Sequence, residues 1–233
     1  MFIDKNYLKQ YEDDVINKLL KSDPSCKNFI SHKWLLDSLP KRCIYYEIYG
    51  DLLETKEKKR ILDVGGGFCA VSKILLKKHD YQLLDIMAHD DHEMIRHMEN
   101  DLFESFWINN DWYNHIPETY DIVIANDIFP NVDQRLELFL EKYIPTTKEI
   151  RLSLTYYNTP KFYITKRVDG DEIFCQLAYN GKQVKEILDK YQNKNLDVLL
   201  NNSESLFPNG RQVFTTTIKG KNNDRNKNIT SKI

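Results

Sequence analysis

The chain lacks several patterns that define whole classes of protein. It has four cysteines among 233 residues, and no two of them form a C-x-x-C pair. Widely spaced single cysteines predict neither a disulfide framework nor a metal site. No segment approaches the roughly 20 apolar residues of a membrane-spanning helix, and the N-terminal stretch is charged where a signal peptide needs an apolar run. These features predict a cytoplasmic protein with no metal and no membrane partner.

The chain also lacks an excess of positive charge. Its 33 basic and 35 acidic residues give a formal net charge of −2. A dedicated nucleic-acid-binding domain usually has a net positive field, so no nucleic-acid partner is expected. The length suits one α/β domain with a small appendage. Nothing in the composition predicts an oligomeric state.

Hydrophobic patterning divides the chain into three parts. In residues 1–55 apolar side chains recur at spacings of three and four, which predicts an N-terminal helical cap or lid. In residues 56–219 short apolar runs alternate with amphipathic stretches, which predicts an α/β fold with a doubly wound, mostly parallel sheet. Residues 220–233 are polar and aperiodic, and they are predicted to form a disordered tail.

Seven strands are predicted for that sheet. The first five are Arg60–Val64, Tyr81–Ile86, Ser105–Asn109, Tyr120–Ala125 and Glu149–Thr155. Leu196–Leu200 and Arg211–Lys219 flank a loop that contains Pro208-Asn209-Gly210, which is turn chemistry. These last two segments are predicted to form a terminal antiparallel hairpin.

The strongest motif is Ile61–Cys69 (ILDVGGGFC), which holds three of the chain's eight glycines. Glycine permits a sharp turn and a close approach of ligand to backbone, and the helix that follows offers free N–H groups at its N-terminus. The string that begins at Gly65 satisfies G-x-G-x-x-A, a dinucleotide fingerprint. Asp85 lies 22 positions after Asp63, near the roughly 20 typical of a ribose-binding acid. This spacing leaves the class of ribose-containing cofactor open.

The same string resembles motif I of class I S-adenosylmethionine-dependent methyltransferases. Asp63 matches the acidic residue of that motif and Gly65 and Gly67 match its first two glycines, whereas Cys69 stands where a third glycine often lies. Asp85 matches the acid that ends the second strand and binds ribose in this family. The resemblance implies a Rossmann-like methyltransferase fold, with S-adenosyl-L-methionine as cofactor and S-adenosyl-L-homocysteine as product.

The resemblance extends over about residues 58–219. It implies that Asp111 binds the adenine amine, that Trp112 flanks the adenine ring, and that Asn126 lies beside the cofactor. Asp127, the next residue, is the candidate general base, with the capping of a turn as the alternative. All these residues follow predicted strands, and ligands bind at the carboxyl ends of strands in open α/β sheets.

The acceptor is less well marked. Tyr156 follows the fifth strand and is a candidate catalytic group that lines the acceptor pocket, with packing as the alternative. Residues 126–130 depart from the [Asp/Asn]-Pro-Pro-aromatic pattern of enzymes that methylate exocyclic amines, which favours an oxygen acceptor. Lys161, Lys166 and Arg167 could clamp a phosphate or carboxylate on that acceptor, with a solvated loop as the alternative. The prediction is methyl transfer to a small molecule, at an oxygen of a sugar or of a phosphorylated or nucleotide-linked metabolite.

The sequence also leaves three other interpretations open. An NAD-dependent oxidoreductase could use the same glycine-rich loop, although Asp63 is not needed there and the chain has no room for a separate catalytic domain. A non-catalytic methyltransferase-like partner protein is the second, and the combination of loop glycines with Asp85 counts against it. The stretch from His89 to His92 has metal-ligand residue types, but its acids are expected to begin a helix.

Overall fold

The computed structural model describes residues 1–11, 15–130, 132–166, 173–201 and 204–221 of the chain. Almost all of the predicted disordered tail lies outside these residues. None of the helices that the structure describes combines the length and apolar character needed to cross a bilayer.

The chain alternates helices and strands through most of its length. The strands are β1 (Phe2–Ile3), β2 (Arg60–Val64), β3 (Asp80–Leu84), β4 (Trp107–Ile108), β5 (Tyr120–Asn126), β6 (Thr147–Tyr156), β7 (Lys161–Lys166), β8 (Ile173–Ala178) and β9 (Gln212–Lys219). The helices are α1 (Lys5–Gln10), α2 (Val15–Ser22), α3 (Ile30–Asp37), α4 (Leu39–Glu54), α5 (Ala70–Lys78), α6 (His92–Leu102), α7 (Leu136–Tyr143) and α8 (Gly181–Leu188).

Seven of the strands form one sheet in the order β1-β9-β6-β5-β2-β3-β4. The pairs from β6 to β4 are all parallel, and β9 is antiparallel to β6. The chain starts this parallel part at β2, builds outward to β4, and returns to β2 to place β5 and β6 on its other side. This order confirms the doubly wound, mostly parallel fold with an antiparallel last strand, and it creates a switch point between β2 and β5, where ligands bind in such sheets.

One expected strand is corrected. Leu196–Leu200 does not pair with the last strand, because Asp197–Leu200 is a 3₁₀ helix. The outer edge of β9 is covered instead by β1, with Ile3 opposite Val213. Leu196 and Leu199 are both buried, and a spacing of three turns both side chains toward the core from a 3₁₀ turn.

A second, two-stranded sheet follows β6. β7 and β8 pair antiparallel, with Phe162 opposite Leu177. Neither β7 nor β8 is among the strands predicted from the sequence. Phe162 and Ile164 alternate with polar residues and are 73% and 77% exposed, so the ribbon lies at the surface of the protein.

Helices cover both faces of the main sheet. On one face, α4 contributes Ile48 and Leu52 to a cluster that includes Ile61 of β2. On the other, α7 and α8 pack against β5 and β6. An ion pair fixes α4: the Nη1 and Nη2 atoms of Arg151 on β6 lie 2.6 and 2.8 Å from the two carboxylate oxygens of Asp51.

Candidate active site at the carboxyl edge of the sheet

The glycine-rich loop after β2 has a backbone that requires glycine. Gly65 and Gly67 both have a φ of 63°, in the left-handed region that side chains disfavour. Their surroundings are equally restrictive. A Cβ atom on Gly65 would lie 2.4 Å from Cδ1 of Ile128, and one on Gly67 would lie 1.9 Å from Oγ of Ser31. The loop is therefore bordered by α3 through Ser31 and by the segment after β5 through Ile128.

Asp85 lies directly beside this loop, as its position after β3 predicts. Its Oδ2 atom accepts a hydrogen bond from the backbone N–H of Gly67 at 2.9 Å, and its Oδ1 atom accepts one from that of Met87 at 2.7 Å. Burial raises the pKa of Asp85, and these two hydrogen bonds oppose the rise. Each carboxylate oxygen retains a second lone pair, so the half-buried group can still accept from a diol.

Asp63 lies beneath the loop and holds it from within. The hydroxyl of Tyr81 donates to its Oδ2 atom at 2.8 Å, and that of Tyr49 lies 3.1 and 3.0 Å from its two oxygens. Burial raises the pKa of Asp63 to about 7, although both tyrosine hydroxyls lower it. A Cβ atom on Gly66 would lie 2.6 Å from its Oδ1 atom. The acid of the motif thus faces two tyrosines and the underside of the loop.

Asp111 and Trp112 follow β4 but have different surroundings. The Asp111 side chain is 43% exposed, and its Oδ2 atom lies 3.7 Å from Nη2 of Arg135. Trp112 is 5% exposed. Its ring packs edge-on against Phe129 at 5.7 Å, and its indole N–H donates to Asp133 at 2.8 Å. The Asp111 carboxylate is thus accessible, whereas the Trp112 ring belongs to the core below it.

Asn126 and Asp127 end β5 at the same edge of the sheet. Asn126 is 7% exposed, and its Oδ1 atom has no hydrogen-bond partner in the part of the chain that the structure describes. Asp127 has a φ of 59°, and its backbone N–H donates to the carbonyl of Ser153. Its Oδ1 atom lies 3.5 Å from Nη1 of Arg211, an ion pair without a close hydrogen bond. Its carboxylate therefore faces Arg211 and not a turn amide.

Several polar atoms beside this pair are buried and unpaired. Asn126 is in register with Ser153, and Thr155 lies two residues further along β6, so all three side chains share one face of the sheet. Neither the Oγ atom of Ser153 nor the Oγ1 atom of Thr155 has a partner within the described ranges. Nearly all buried polar groups in native proteins are hydrogen-bonded. We call these three residues the polar cluster, and it offers hydrogen-bonding groups to a water molecule or a ligand.

Tyr156 lies on the other face of the sheet. It is 1% exposed and belongs to the cluster that contains Val184 and Leu199. Burial raises its pKa above the ordinary range, and its hydroxyl has no partner among the residues whose positions are known. The structure brings Asp85, Asn126 and Asp127 to one edge, and it separates Tyr156 from the polar cluster by the sheet.

Three residues that the sequence did not mark lie at this edge. The Tyr45 hydroxyl donates to the carbonyl of Gly66 at 2.9 Å. Lys41, four residues earlier on α4, has its Nζ atom 4.5 Å from the centre of the Trp34 ring. Arg211 pairs with Asp127. Lys41 and Tyr45 are four residues apart in the predicted helical cap, so the sequence places them on one face of a helix. The Arg211 contact joins distant parts of the chain and has no local sequence signal.

The structure also describes parts of two other predicted features, the cations after β6 and the possible metal ligands between His89 and His92. The Nζ atom of Lys161 lies 3.9 Å from the centre of the Tyr157 ring, while Arg167 and the side chain of Lys166 fall outside the described residues. Asp91 is the N-cap of α6 and accepts from the backbone N–H of Glu93. Across the described ranges, no group of histidine, cysteine and acidic side chains could hold a metal ion.

Solved structures resemble this chain at low sequence identity and with TM-scores below 0.5. A 1,6-didemethyltoxoflavin-N1-methyltransferase from Burkholderia thailandensis, with S-adenosylhomocysteine bound, is 11% identical, with 78% of each chain covered and a TM-score of 0.48. An S-adenosylmethionine-dependent methyltransferase from Clostridium acetobutylicum is 14% identical, with 92% of this chain and 97% of that chain covered and a TM-score of 0.42.

A Pyrococcus horikoshii protein is 14% identical, with 88% and 99% covered and a TM-score of 0.49. No protein-family model matches the chain, and no curated protein is significantly similar to it in sequence. At these identities and TM-scores, what the chain binds must be argued from its own residues.

Proposed function

We propose that the chain is an S-adenosylmethionine-dependent methyltransferase that acts on a small-molecule acceptor. The observation that carries this proposal is the contact between Asp85 and the Gly67 backbone, because it joins a carboxylate with free lone pairs to a glycine loop at the switch point of the sheet. A ribose diol can donate to such a carboxylate. The unpaired Oδ1 atom of Asn126 at the neighbouring strand end supports a ligand site there.

The residues present fit this cofactor. Asp85 would accept from the ribose hydroxyls, the accessible carboxylate of Asp111 would accept from the adenine amine, and the Gly65–Gly67 backbone would border the cofactor beside the ribose. Asp63 would act indirectly, since it holds the loop from below. When bound there, the cofactor supplies a methyl group on a positively charged sulfur.

The acceptor in this proposal is an oxygen nucleophile of a sugar or of a phosphorylated or nucleotide-linked metabolite. A hydroxyl needs a general base within hydrogen-bond reach, and the Oδ1 atom of Asp127 has no hydrogen-bond donor in the described part of the chain. The acceptor hydroxyl would give its proton to that atom. The polar cluster would hold the acceptor in position, and positioning alone contributes much of the rate in such reactions.

We further propose that, within the predicted cap of residues 1–55, α3 and the first turns of α4 act as a lid over this edge, whereas β1 belongs to the main sheet and the rest of α4 to its packed face. Two contacts support this: Ser31 lies against Gly67, and Tyr45 donates to the Gly66 carbonyl. Cofactor that enters beneath α3 should slow amide hydrogen exchange in α3 and in the first turns of α4. Equal exchange rates with and without S-adenosylmethionine would contradict a lid role.

Calorimetric titration with S-adenosylmethionine and, separately, NAD tests the cofactor class. We expect S-adenosylmethionine alone to bind, and Asp85→Ala to weaken its binding at least tenfold. Asp80→Ala is the matched control, because Asp80 opens the same strand but points its exposed carboxylate at Arg60. Binding of NAD alone would make the chain an oxidoreductase, and binding of neither would favour the non-catalytic partner protein.

A turnover assay over phosphorylated sugars and nucleotide sugars tests the base. Asp127→Asn should retain the affinity for S-adenosylmethionine and lower kcat by about 10²–10⁴-fold, the usual contribution of general-base catalysis. Asp121→Asn, near the opposite end of β5 and paired with Lys148, should leave kcat unchanged. A normal kcat in Asp127→Asn would remove this residue from the chemistry.

A further inference from the structure

Arg211 has hydrogen-bonding capacity that the described protein does not use. Its side chain is 19% exposed, and its Nε atom is buried without a partner within the described ranges. The polar contact of this side chain within the described residues is the 3.5 Å ion pair with Asp127. A guanidinium presents five N–H donors in a planar fork that matches carboxylate and phosphate oxygens. The Arg211 fork is therefore available for a ligand.

The position of the Arg211 guanidinium is set by its neighbours. Its central carbon lies 5.4 Å from the centre of the Phe207 ring, within cation–π range. The preceding residue, Gly210, has a φ of 90°, which brings the loop against the ring of Tyr157. An arginine held in this way loses little side-chain entropy when it binds an anion.

Lys41 on α4 supplies a second cation, on a different element from Arg211, which precedes β9. It lies in the first turn of α4 with its ammonium over the Trp34 ring, and no carboxylate within the described ranges is at ion-pair distance from it. Burial lowers the pKa of Lys41; the charge of Asp127 raises it and that of Arg211 lowers it. Packing brings the two elements together, because α4 shares one buried cluster with the start of β9 through Cys43. This corner of the protein thus holds two cations for one carboxylate.

We infer that Arg211 and Lys41 bind a carboxylate or phosphate group of the methyl acceptor, next to the Asp127 carboxylate and the polar cluster. This inference rests on the proposed function and names the acceptor class, an oxyanion-bearing molecule. An anion between the two cations balances the charge of the site. It also gives the buried Nε atom of Arg211 an acceptor. Asp127 is then freed to face the acceptor hydroxyl.

Arg211 and Lys41 differ in their surroundings from Lys161, which the sequence predicted to bind the anion. Lys161 is exposed and lies on the surface ribbon that β7 and β8 form. Arg211 is largely buried and adjoins Asp127, so an anion bound to it would bring the rest of the acceptor to the end of β5. Recognition of the anion and orientation of the hydroxyl are in this way coupled.

The test is a calorimetric titration of inorganic phosphate and, in a second arm, acetate. Both arms use the full chain with and without saturating S-adenosylhomocysteine. We expect wild-type protein to bind one of the two anions, and the arm that binds identifies the group. Arg211→Gln and Lys41→Gln should each raise its Kd at least tenfold, while Arg211→Lys should raise it less. Lys190→Gln, an exposed lysine paired with Glu137, is the control and should not change it.

The affinity for S-adenosylhomocysteine is measured on the same samples. It should stay within about twofold of wild type in every variant, which also confirms that the variants fold. If wild-type protein binds an anion but not S-adenosylhomocysteine, the proposed function is overturned and the anion site still stands. Cofactor binding with no binding of either anion, or with equal anion binding by wild type and Arg211→Gln, would overturn the inference.

Discussion

Replacement of Asp63 by asparagine should change how the stability of the fold depends on pH. The Asp63 carboxyl is 2% exposed, and burial raises its pKa from 3.8 to about 7. In the unfolded chain the group ionises at its usual pKa. Between these two values the folded protein therefore holds more protons than the unfolded chain, so the free energy of unfolding falls as the pH rises.

The size of this effect follows from the shift. A rise from 3.8 to about 7 is roughly three pKa units, and each unit corresponds to about 1.4 kcal/mol. The ionised carboxylate should thus lower the free energy of unfolding by at most about 4 kcal/mol at pH 8 compared with pH 3. Asparagine has a similar shape and no charge, so Asp63→Asn should lose this dependence.

Urea unfolding from pH 4 to pH 8 measures the effect. The quantity compared is the difference in the free energy of unfolding between wild type and Asp63→Asn at each pH. The difference cancels the contributions of the other carboxyl groups. Tyr81→Phe provides a second check. It removes the 2.8 Å donor that lowers the pKa of Asp63, so the fall in stability toward pH 8 should become larger than in wild type.

Parallel stability curves for wild type and Asp63→Asn would refute this reasoning. They would mean that Asp63 ionises equally easily in the folded and unfolded chain. An increase in wild-type stability relative to Asp63→Asn with rising pH would be a stronger contradiction, because it would mean that the two tyrosines outweigh the burial.

Three further predictions follow from the same contacts. Gly67→Ala should destabilise the fold by about 1–3 kcal/mol in urea, since the left-handed backbone costs about 1–2 kcal/mol and the Cβ atom meets Ser31; Ser31→Gly should restore only the steric part. Tyr156→Phe removes a buried unpaired hydroxyl, so stability and kcat should be unchanged or slightly higher, and a large fall in kcat alone would make Tyr156 catalytic. Arg151→Met should cost about 1–3 kcal/mol at pH 7. The loss should shrink as the pH falls, because Arg151 holds the pKa of Asp51 below its usual value and that contribution disappears when Asp51 is protonated.

The parts of the site that the sequence could predict are those that local geometry determines. A buried strand, a glycine turn and a helix are contiguous, so the loop after β2 could be placed from Ile61–Cys69 alone. Asp85 follows the next strand, and parallel strands end at the same edge. The contact of Asp85 with Gly67 is a consequence of these two facts.

Other features depend on pairings between distant segments. The partners of Asp63 come from α4 and β3, and nothing in their sequence marks a tyrosine as a donor to a buried acid. The edge strand β1 has two residues, too few to show a period of two. Leu196–Leu200 is a short apolar run, which periodicity cannot assign between strand and turn. The ion pair of Asp127 with Arg211 spans 84 positions and depends on the register of β9.

The two halves of the candidate site differ in how fully their polar groups are satisfied. The proposed cofactor half is tied together by hydrogen bonds, from the Gly67 N–H to Asp85 and from the Tyr45 hydroxyl to the Gly66 carbonyl, and satisfied networks of this kind are rigid. The proposed acceptor half leaves the Oδ1 atom of Asn126 and the Oγ atom of Ser153 buried without partners in the described chain.

Each such atom costs about 1–3 kcal/mol if it stays unpaired. A ligand that pairs with these atoms recovers that free energy only when it sits at the end of β5, beside Asp127 and Arg211. A molecule that lacks matching polar groups would leave the penalty in place. The acceptor half should therefore discriminate among substrates through its unpaired atoms, while the cofactor half, already satisfied, should bind its ligand with little rearrangement of the loop.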